Sequence, residues 1–282
     1  MQTWNSSDAA QRYSQGSARR AQALGSVTER MLDLAQVKPG MRVLDVAAGS
    51  GETSLLAARR VQPNGSVLAV DISTSMLEIA AGAARDAGLG NVETQVQDIG
   101  QLDLPGSTFD AAISRLGLMF LEDPARGLKL VRCTLKPGAR LAAIVWSTRA
   151  ANPYMSTSVE VVDEVRGLPS TTLAIVRAFS LAGEGVLERA FAQAGFADVS
   201  VEPVQVTRDF DSVDEALDAV VLMSTNLTEL LEGASDAEHA EVLKRMRQRF
   251  AEFERADGRC VLPGEVLLAS GVQPAECYDE SQ

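Results

Sequence analysis

Residues 42–54 read RVLDVAAGSGETS, and this stretch decides the fold of the chain. It opens with a short apolar run, continues with small residues that include two glycines, and passes into a run rich in alanine and leucine. A short apolar run followed by a helix is typical of a buried parallel strand in a βαβ unit. We therefore predict a strand, a tight turn and a helix, with Gly49 and Gly51 letting the backbone approach a ligand closely.

The ligand of this turn has to suit the residues around it. The spacing Gly49-x-Gly51-x-x-Ser54 resembles the dinucleotide fingerprint, which is a weak signal by itself. Glu52 suits the positive end of a helix dipole but repels a doubly charged pyrophosphate, and the lysine of a P-loop is missing after the glycines. S-adenosylmethionine fits the turn better, because it has one small carboxylate and a cationic sulfonium.

Two further apolar runs end in carboxylates. The run SVLAVDI places Asp71 near its end, and the run VETQVQDI places Asp98 in the same position. Asp71 follows Gly51 by about 20 residues, the spacing at which an acid meets ribose hydroxyls in nucleotide-binding folds. Asp98 can accept a hydrogen bond from an adenine amino group while Ile72 and Ile99 cover the faces of the ring. We expect the three strand ends to line one crevice at the carboxyl edge of a parallel sheet.

Several fragments, taken in order and spacing, carry a specific family resemblance over most of the chain. They are VLDVAAGSGE (43–52), AVDIS (69–73), Met76-Leu77, Gln97-Asp98, FDAAISRLGLMFLEDP (109–124), LKPGARLAAIVW (135–146), Asn152-Pro153, AGF (194–196) and LPGEVLLASG (262–271). The sequence resembles the class I S-adenosylmethionine-dependent methyltransferases of the menaquinone/ubiquinone-methyltransferase-like type, which act on small molecules. It departs from the family at Ala47, where the first loop glycine is expected, and at Ala139, where a second glycine commonly follows Gly138. A turn without positive φ tolerates Ala47, so cofactor binding is still expected.

The resemblance implies an α/β, Rossmann-like methyltransferase fold, with a seven-stranded, mostly parallel sheet whose last strand is antiparallel, and a helical lid insert. The expected parts are an N-terminal helical segment (1–37), a methyltransferase domain (38–271) with helical lid elements at 151–183 and 212–256, and a tail (272–282) that is disordered over 276–282. In the N-terminal segment, Trp4 and Tyr13 either pack a surface helix, which we prefer, or fold over the cofactor as in relatives.

The resemblance also implies the reaction, which is methyl transfer from S-adenosylmethionine to a small molecule with S-adenosylhomocysteine as product. The candidate cofactor-binding residues are Ala47, Gly49, Gly51, Thr53, Asp71, Ile72, Met76, Asp98, Ile99 and Ser114. The candidate substrate-pocket residues are Arg115, Met119, Trp146, Asn152 and Tyr154. Two of these have equally good alternatives: Met76 as a core residue, and Arg115 as an ion-pair partner of Asp123 rather than of a ligand carboxylate. The segment Asn152-Pro153-Tyr154 resembles an incomplete amino-methylation box, and we prefer a plain Asn-Pro turn there.

Composition and charge limit the class of partner. The chain has 282 residues and a formal net charge of −12, which disfavours nucleic acids and anionic membrane surfaces. A neutral or cationic small molecule is the easier substrate on this ground. The three cysteines, Cys133, Cys260 and Cys277, have no metal-ligand spacing. We expect thiols in a reducing cytoplasm, no metal site, and a monomer or homodimer.

The single histidine limits the chemistry. His239 lies near the start of a predicted lid helix, where we favour a surface position over a role as general base. Acceptors that need little help from a base are a carboxylate, an amine, and an acidic enol or quinol carbon. We therefore favour O- or C-methylation of a secondary-metabolite-like molecule, with N-methylation as an option. Arg115 and His239 are weak catalytic candidates.

Three rival functions use the same sequence features. A nicotinamide dehydrogenase is favoured by the glycine spacing and disfavoured by Asp98 and the Leu-Lys-Pro-Gly turn. A non-methylating enzyme, such as a cyclase, can use the bound cofactor as a scaffold. A pure binding or regulatory module is disfavoured by the two acids and by the large insert.

Overall fold

The computed structural model describes residues 7–167, 177–223, 227 and 230–275. The strands are β1 (Arg42–Val46), β2 (Ser66–Asp71), β3 (Val92–Val96), β4 (Phe109–Arg115), β5 (Leu135–Trp146), β6 (Ala197–Phe210) and β7 (Cys260–Val272). The α-helices are α1 (Ser7–Gln15), α2 (Ser17–Leu34), α3 (Glu52–Val61), α4 (Thr74–Asp86), α5 (Pro124–Thr134), α6 (Pro153–Arg166), α7 (Val186–Gln193), α8 (Val213–Met223) and α9 (Asp236–Ala251). Trp4, residues 168–176 of the expected lid and the tail from 276 to 282 lie outside the described residues.

The strands form one sheet in the order β3-β2-β1-β4-β5-β7-β6. Strands β1 to β5 pair with their neighbours in parallel, and β7 runs antiparallel to both β5 and β6. The predicted Rossmann-like methyltransferase fold with an antiparallel last strand is therefore confirmed. The strand order reverses between β1 and β4, so the crevice where such sheets bind ligands lies beyond the carboxyl ends of these two strands.

The turn between β1 and α3 has the tight geometry that its glycines predict. Gly49 has a φ of 54° and Gly51, the N-cap of α3, has a φ of 84°. A Cβ on Gly51 would lie only 2.7 Å from the Cβ of Ala80 in α4. The close approach that Gly51 permits is therefore between two helices of the protein itself, which brings the start of α3 against α4.

Ala47 differs from its prediction. Its φ is 56°, so the expected turn without positive φ is wrong at this position. An L-residue in this region costs roughly 1–2 kcal/mol. Gly117 makes room for the methyl group that results, because a Cβ on Gly117 would lie 2.3 Å from the Cβ of Ala47. The alanine of the first loop and the glycine after β4 thus fit one another.

Strands β6 and β7 extend beyond the carboxyl end of β5. The last β5–β7 pair is Trp146 with Val266, whereas β6 and β7 stay paired as far as Phe210 and Cys260. Residues 205–210 and 260–265, which we name the overhanging ribbon, therefore project about 20 Å past the sheet edge at about 3.3 Å per residue. The sequence predicts a strand over residues 199–210, which includes the β6 half of this ribbon, but it predicts β7 over residues 265–270 only and misses the other half. The ribbon forms a wall beside the crevice.

A second hydrophobic core lies on the overhanging ribbon. Helices α6, α8 and α9 pack together there, and their buried side chains include Val161, Met246 and Phe250. Phe210 and Leu262 of the ribbon belong to the same core. The predicted helical insert between β6 and β7 is thus present in the described residues as α8 and α9. Among the described helices, none is both long enough and apolar enough to cross a membrane.

Candidate active site

Asp45 lies beneath the glycine turn and is fully buried. Its Oδ2 accepts hydrogen bonds from Thr53 Oγ1 at 2.7 Å and Ser54 Oγ at 2.6 Å, which tie the start of α3 to β1. Its Oδ1 has no hydrogen-bond partner among the residues that the structure describes. Burial raises the pKa of Asp45 to about 6, against the opposing effect of the two hydroxyls and of Arg115. The carboxyl therefore changes charge near neutral pH.

Asp71 joins the ends of three segments. Its Oδ2 accepts the N–H of Gly49 at 2.9 Å and its Oδ1 accepts the N–H of Ser73 at 2.9 Å. Burial raises the pKa of Asp71, while the backbone donors of Ser73, Gly49 and Ile72 oppose the rise. The next side chain, Ile72, is 41% exposed and is one of few large apolar side chains left open among the described residues. An acid and an apolar surface thus stand side by side at the end of β2.

Asp98 follows the end of the neighbouring strand. The N–H of Gln97 donates to the carbonyl of Asp71 at 2.9 Å, so the two predicted acids lie at adjacent strand ends as expected. Oδ1 of Asp98 accepts the N–H of Gly100 at 2.8 Å and caps a short 3-10 turn at Ile99–Gln101. Ile99 is buried in the core, so Ile72 offers the larger apolar surface of the two isoleucines.

Two hydroxyl groups beside the crevice are buried without partners. Ser114 ends the buried part of β4, and Ser50 lies within the glycine turn. The Oγ atoms of both have no hydrogen-bond partner within the described ranges. Met76 is buried in the first turn of α4, where its N–H donates to Ser73. Leu116, just after Ser114, has a φ of 62°, so the backbone after β4 is held in a strained conformation.

Arg115 belongs to an ion cluster that joins α2, α3 and β4. Its Nη2 pairs with Oε2 of Glu52, and its Nη1 donates to Thr28 Oγ1 at 3.3 Å. Oε1 of Glu52 pairs with Arg20. The alternative surface bridge from Arg115 to Asp123 is wrong, because Asp123 instead caps α5 by accepting the N–H of Arg126. Two guanidinium groups therefore share one carboxylate at the mouth of the crevice.

Tyr13 covers the glycine turn. A Cβ on Gly49 would meet Tyr13 Cε1 at 3.8 Å, so the ring lies directly over this part of the backbone. The guanidinium of Arg20 lies over the Tyr13 ring, with its Cζ 3.7 Å from the ring centroid, and donates to the Tyr13 carbonyl at 2.6 Å. The N-terminal segment thus folds over the predicted cofactor site, the alternative that we had not preferred for Tyr13.

Arg208, which the sequence analysis did not predict as a site residue, contacts the rings of both Trp146 and Tyr154. The Cζ of Arg208 lies 5.0 Å from the centroid of the Trp146 ring and 4.4 Å from that of Tyr154. Tyr154 also stacks on Phe210, with centroids 5.9 Å apart and an interplanar angle of 12°. Arg19 lies over the Phe210 ring at 5.3 Å. Two predicted pocket residues are therefore close neighbours in one layered stack of rings and guanidinium groups.

Asn152 has its polar atoms engaged by the main chain. Its Nδ2 donates to the carbonyls of Thr148 and Glu265, both at 2.9 Å, and its Oδ1 accepts the N–H of Glu265 at 3.0 Å. It is also the N-cap residue of α6, with Pro153 in the first turn. This position ties α6 to the overhanging ribbon, and both amide protons are already used.

The last two predicted residues differ in surroundings. Met119 is buried in a short 3-10 turn, and its carbonyl accepts the hydroxyl of Ser180 at 2.7 Å. His239 is exposed near the start of α9, where its Nε2 lies 3.3 Å from the Leu231 carbonyl. This agrees with the surface position favoured for His239 and gives no support to a role as base.

Three residues of the site escaped the sequence analysis as functional candidates. Asp45 has a clear signal, because a carboxylate inside a buried apolar strand requires a specific explanation. Arg208 has a similar signal, since it interrupts an apolar face that includes Val206 and Phe210. Arg20 has none, because nothing in α2 marks one arginine as the partner of a residue beyond β1.

The comparisons with known proteins agree with this geometry. Residues 37–174 match a family described as a methyltransferase domain. This part of the chain is a methyltransferase domain. The predicted resemblance to class I S-adenosylmethionine-dependent methyltransferases of the menaquinone/ubiquinone type is confirmed over this part of the chain.

Curated relatives are similar to part of the chain. The C-methyltransferase UbiE of ubiquinone/menaquinone biosynthesis from Teredinibacter turnerae is 38% identical over 117 residues, covering 41% of this chain and 47% of the relative. The enzyme of the same name from Bordetella parapertussis is 38% identical over 119 residues, covering 42% and 45%. The matched region thus spans about half the length of these relatives. The similarity to these relatives therefore covers less than half of this chain.

Solved structures share the fold over most of the chain. The [4+2]-cyclase SpnF has a TM-score of 0.58 at 19% identity, with 89% of this chain and 82% of that chain covered. A putative methyltransferase from Bacillus halodurans has a TM-score of 0.58 at 20% identity, covering 89% and 100%. Identities this low show a common fold alone.

Proposed function

We propose that this protein binds S-adenosylmethionine in the crevice beyond β1, β2 and β4 and transfers its methyl group to a small-molecule acceptor. The observation that carries the proposal is the meeting of Asp71 and Asp98 at adjacent strand ends, beside the glycine turn of a methyltransferase domain. In this arrangement Asp71 would accept the ribose hydroxyls, and Asp98 the adenine amino group. Ile72 would cover one face of the base.

The residues around the crevice fit such a cofactor. The buried hydroxyls of Ser50 and Ser114 lack partners within the described ranges, and such groups are costly unless a ligand or water satisfies them. The carboxylate of Asp71 makes three contacts with backbone N–H groups and offers about four acceptor sites. Tyr13 and Arg20 close the crevice from above. The site thus offers acceptors for hydroxyl and amino groups and a cover that excludes water.

S-adenosylmethionine supplies an electrophilic methyl group on a sulfonium. What the chain contributes is alignment and a dry environment, and orientation of reactants alone can be worth about 7–11 kcal/mol. Ser114, Leu116 and Met119 lie at the end of β4, on the acceptor side of the glycine turn. The strained Leu116 fixes this segment, as expected for backbone that positions reacting groups.

The acceptor should need little help from a general base. The chain has one histidine, His239, which is exposed on α9. Burial raises the pKa of Tyr154, so this phenol stays protonated at neutral pH and can donate a hydrogen bond. These features favour O-methylation of a carboxylate or C-methylation of an acidic enol or quinol carbon.

A mass-shift screen tests the proposal. The protein is incubated with deuteromethyl S-adenosylmethionine and fractions of candidate metabolites, and products are sought that carry the labelled methyl group. Labelled product that forms with the parent protein and fails with Asp71→Asn supports methyl transfer. A product of unchanged mass, formed equally with S-adenosylhomocysteine, would instead identify a non-methylating enzyme such as a cyclase.

A further inference from the structure

Arg208 occupies an unusual position on the overhanging ribbon. Side chains alternate along a strand, so Val204, Val206, Arg208 and Phe210 share one face of β6. Val206 and Phe210 on this face are buried. A guanidinium on a buried apolar face is expensive unless another group compensates its charge.

The surroundings of Arg208 hold it in place without neutralising it. Its guanidinium packs against the rings of Trp146 and Tyr154, at 5.0 and 4.4 Å from their centroids. Gly264, on the facing strand, leaves the space it needs, because a Cβ there would lie 3.6 Å from Arg208 Nη1. Within the described part of the chain, no carboxylate lies within ion-pair distance of Arg208 and no hydrogen-bond acceptor binds it.

The charges nearby make this region positive. Arg20 and Arg115 share the single carboxylate of Glu52, while Arg208 has none. Burial lowers the pKa of Arg208, and the charge of Arg20 lowers it further. An arginine nevertheless stays protonated in proteins. Arg20, Arg115 and Arg208 therefore carry three positive charges against the one carboxylate of Glu52.

We infer that Arg208, whose guanidinium packs against the rings of Trp146 and Tyr154, binds a carboxylate of the acceptor, so that the substrate is an aromatic or aliphatic carboxylic acid. The inference rests on the proposed function in taking this space as the acceptor site. A guanidinium binds a carboxylate with two parallel hydrogen bonds, which one arginine supplies by itself. A phosphate carries more charge and more acceptor oxygens than one free arginine satisfies. The aromatic walls suit an apolar body behind the acid.

The inference reverses an expectation drawn from the overall charge. A net charge of −12 favours a neutral or cationic substrate for the chain as a whole. Screening limits the reach of exposed charges to about 8–10 Å at physiological salt, whereas buried groups are screened far less. The preference for a negatively charged ligand at this position is therefore set by the unpaired Arg208 nearby and not by the acidic exterior of the protein.

Fluorescence offers a direct test that needs no cofactor. The chain has two tryptophans, so the Trp4→Phe variant leaves Trp146, which touches Arg208, as the only indole emitter. This variant is titrated with benzoate, with uncharged benzamide and with phenyl phosphate. The titration is repeated after Arg208→Gln, after Arg208→Lys, and after Arg30→Gln as the control. Arg30 pairs with Glu202, six residues before Arg208 on the same strand, and both side chains are about half exposed. Its loss therefore removes one positive charge about 20 Å along the strand from Arg208.

We expect benzoate to change the Trp146 emission saturably and to bind at least about tenfold more tightly than benzamide, as for a hydrogen-bonded charged pair. Arg208→Gln should abolish this preference, Arg208→Lys should restore part of it, and Arg30→Gln should preserve it. Equal binding of benzoate and benzamide, a preference that survives Arg208→Gln, or no saturable binding at all would overturn the inference. Tighter binding of phenyl phosphate than of benzoate would overturn the choice of a carboxylate.

Two further readouts separate a binding role from a structural one and from the proposed function. Thermal unfolding followed by circular dichroism shows whether each variant folds. A loss of acid selectivity in a folded Arg208→Gln protein, with partial recovery in Arg208→Lys, cannot come from unfolding. Acid selectivity without any methyl transfer would contradict only the proposed function. Methyl transfer without acid selectivity would contradict only this inference.

Discussion

The backbone N–H of Gly49 donates a hydrogen bond of 2.9 Å to Oδ2 of Asp71, which fastens the turn after β1 to the end of β2. Gly49 has a φ of 54° in this arrangement, a conformation that glycine adopts without steric cost. Because Oδ1 of Asp71 also accepts the N–H of Ser73, one carboxylate shapes both the turn and the entry to α4. The acid proposed to bind the ribose is thus held in position before any ligand arrives.

Replacing Asp71 should weaken cofactor binding. Asp71→Ala is expected to reduce the affinity for S-adenosylmethionine by about 1.5–3 kcal/mol, the range for hydrogen bonds to a charged group. Isothermal titration calorimetry measures this directly. Asp71→Asn keeps the size and one acceptor oxygen, so it should cost less. The control is Asp103→Ala, which removes an exposed acid from the next loop. An affinity unchanged by Asp71→Ala would mean that the ribose lies elsewhere.

Asp45 should make stability fall as the pH rises. Its pKa in the folded protein is about 6, above the ordinary value of 3.8, so the folded state holds the proton more tightly. The contribution of Asp45 to the free energy of unfolding is therefore fully present below about pH 4, and it is lost as the pH rises through about 6. The shift corresponds to about 3 kcal/mol at most, at 1.36 kcal/mol per unit.

The Asp45→Asn variant isolates this effect, because all other titrating groups cancel in the comparison. Urea unfolding is measured for both proteins at about pH 4.5 and about pH 7.5. The free energy of unfolding of the parent protein should fall by about 2 kcal/mol more than that of the variant over this interval. Parallel pH profiles would show that the carboxyl has an ordinary pKa in the folded state.

Gly51 should tolerate no side chain. Gly51→Ala places a Cβ 2.7 Å from the Cβ of Ala80 and 3.0 Å from its Cα, at a φ of 84°. We expect stability to fall by about 2–5 kcal/mol, with about 1–3 kcal/mol from overpacking and about 1–2 kcal/mol from the strained φ. Gly138→Ala is the matched control, because Gly138 has a φ of 80° but has nothing within 4 Å of the added Cβ. Chemical unfolding gives both values, and equal losses would assign the whole cost to φ.

Removing the carboxylate of Glu52 should destabilise the fold strongly. Arg20 and Arg115 are each 8% exposed in their side chains, so Glu52→Gln leaves two nearly buried cations without a counter-ion. Breaking a buried pair in this way costs about 3–5 kcal/mol, and partial exposure of Glu52 puts this case at about 3. Glu29→Gln makes the same chemical change in a surface ion pair with Arg60 and should cost less than about 1. Similar losses in the two variants, measured by urea unfolding, would contradict a buried role for Glu52.

Local patterns determined most of the fold. The apolar strands, the glycine turn and the Ser73 cap of α4 each follow from a few adjacent residues, and the structure has all of them. Strand ends were less predictable. Strand β5 begins at Leu135, although the Lys-Pro-Gly turn that follows predicts the end of α5. The predicted turn nevertheless persists within this strand, because Gly138 has a φ of 80° and regular pairing of β5 with β4 and β7 starts at Arg140.

The residues of the site were predictable only where the role of each follows from its position in a single strand or turn. Asp71 and Asp98 are recognised because each ends a strand, and strand ends share an edge. The partner of Arg115 was missed because Glu52 reaches it across the crevice from a different element. Arg208 was missed because its importance depends on the lack of a carboxylate partner in the described part of the fold. Contacts between distant elements, and unpaired groups most of all, become visible only when the chain is folded.

The register partners Phe210 and Cys260 mark the points where the chain leaves the sheet for α8 and α9 and then returns to it. Because these two points face each other across one strand pair, the whole intervening segment is a cassette with adjacent ends. Grafting the cassette of a different member of the fold between these positions should leave the sheet register and the methyl-donor crevice unchanged. Trp146, Tyr154 and Arg208 all lie outside the cassette, so its helices can be exchanged without altering the residues proposed to bind the cofactor and the acceptor acid.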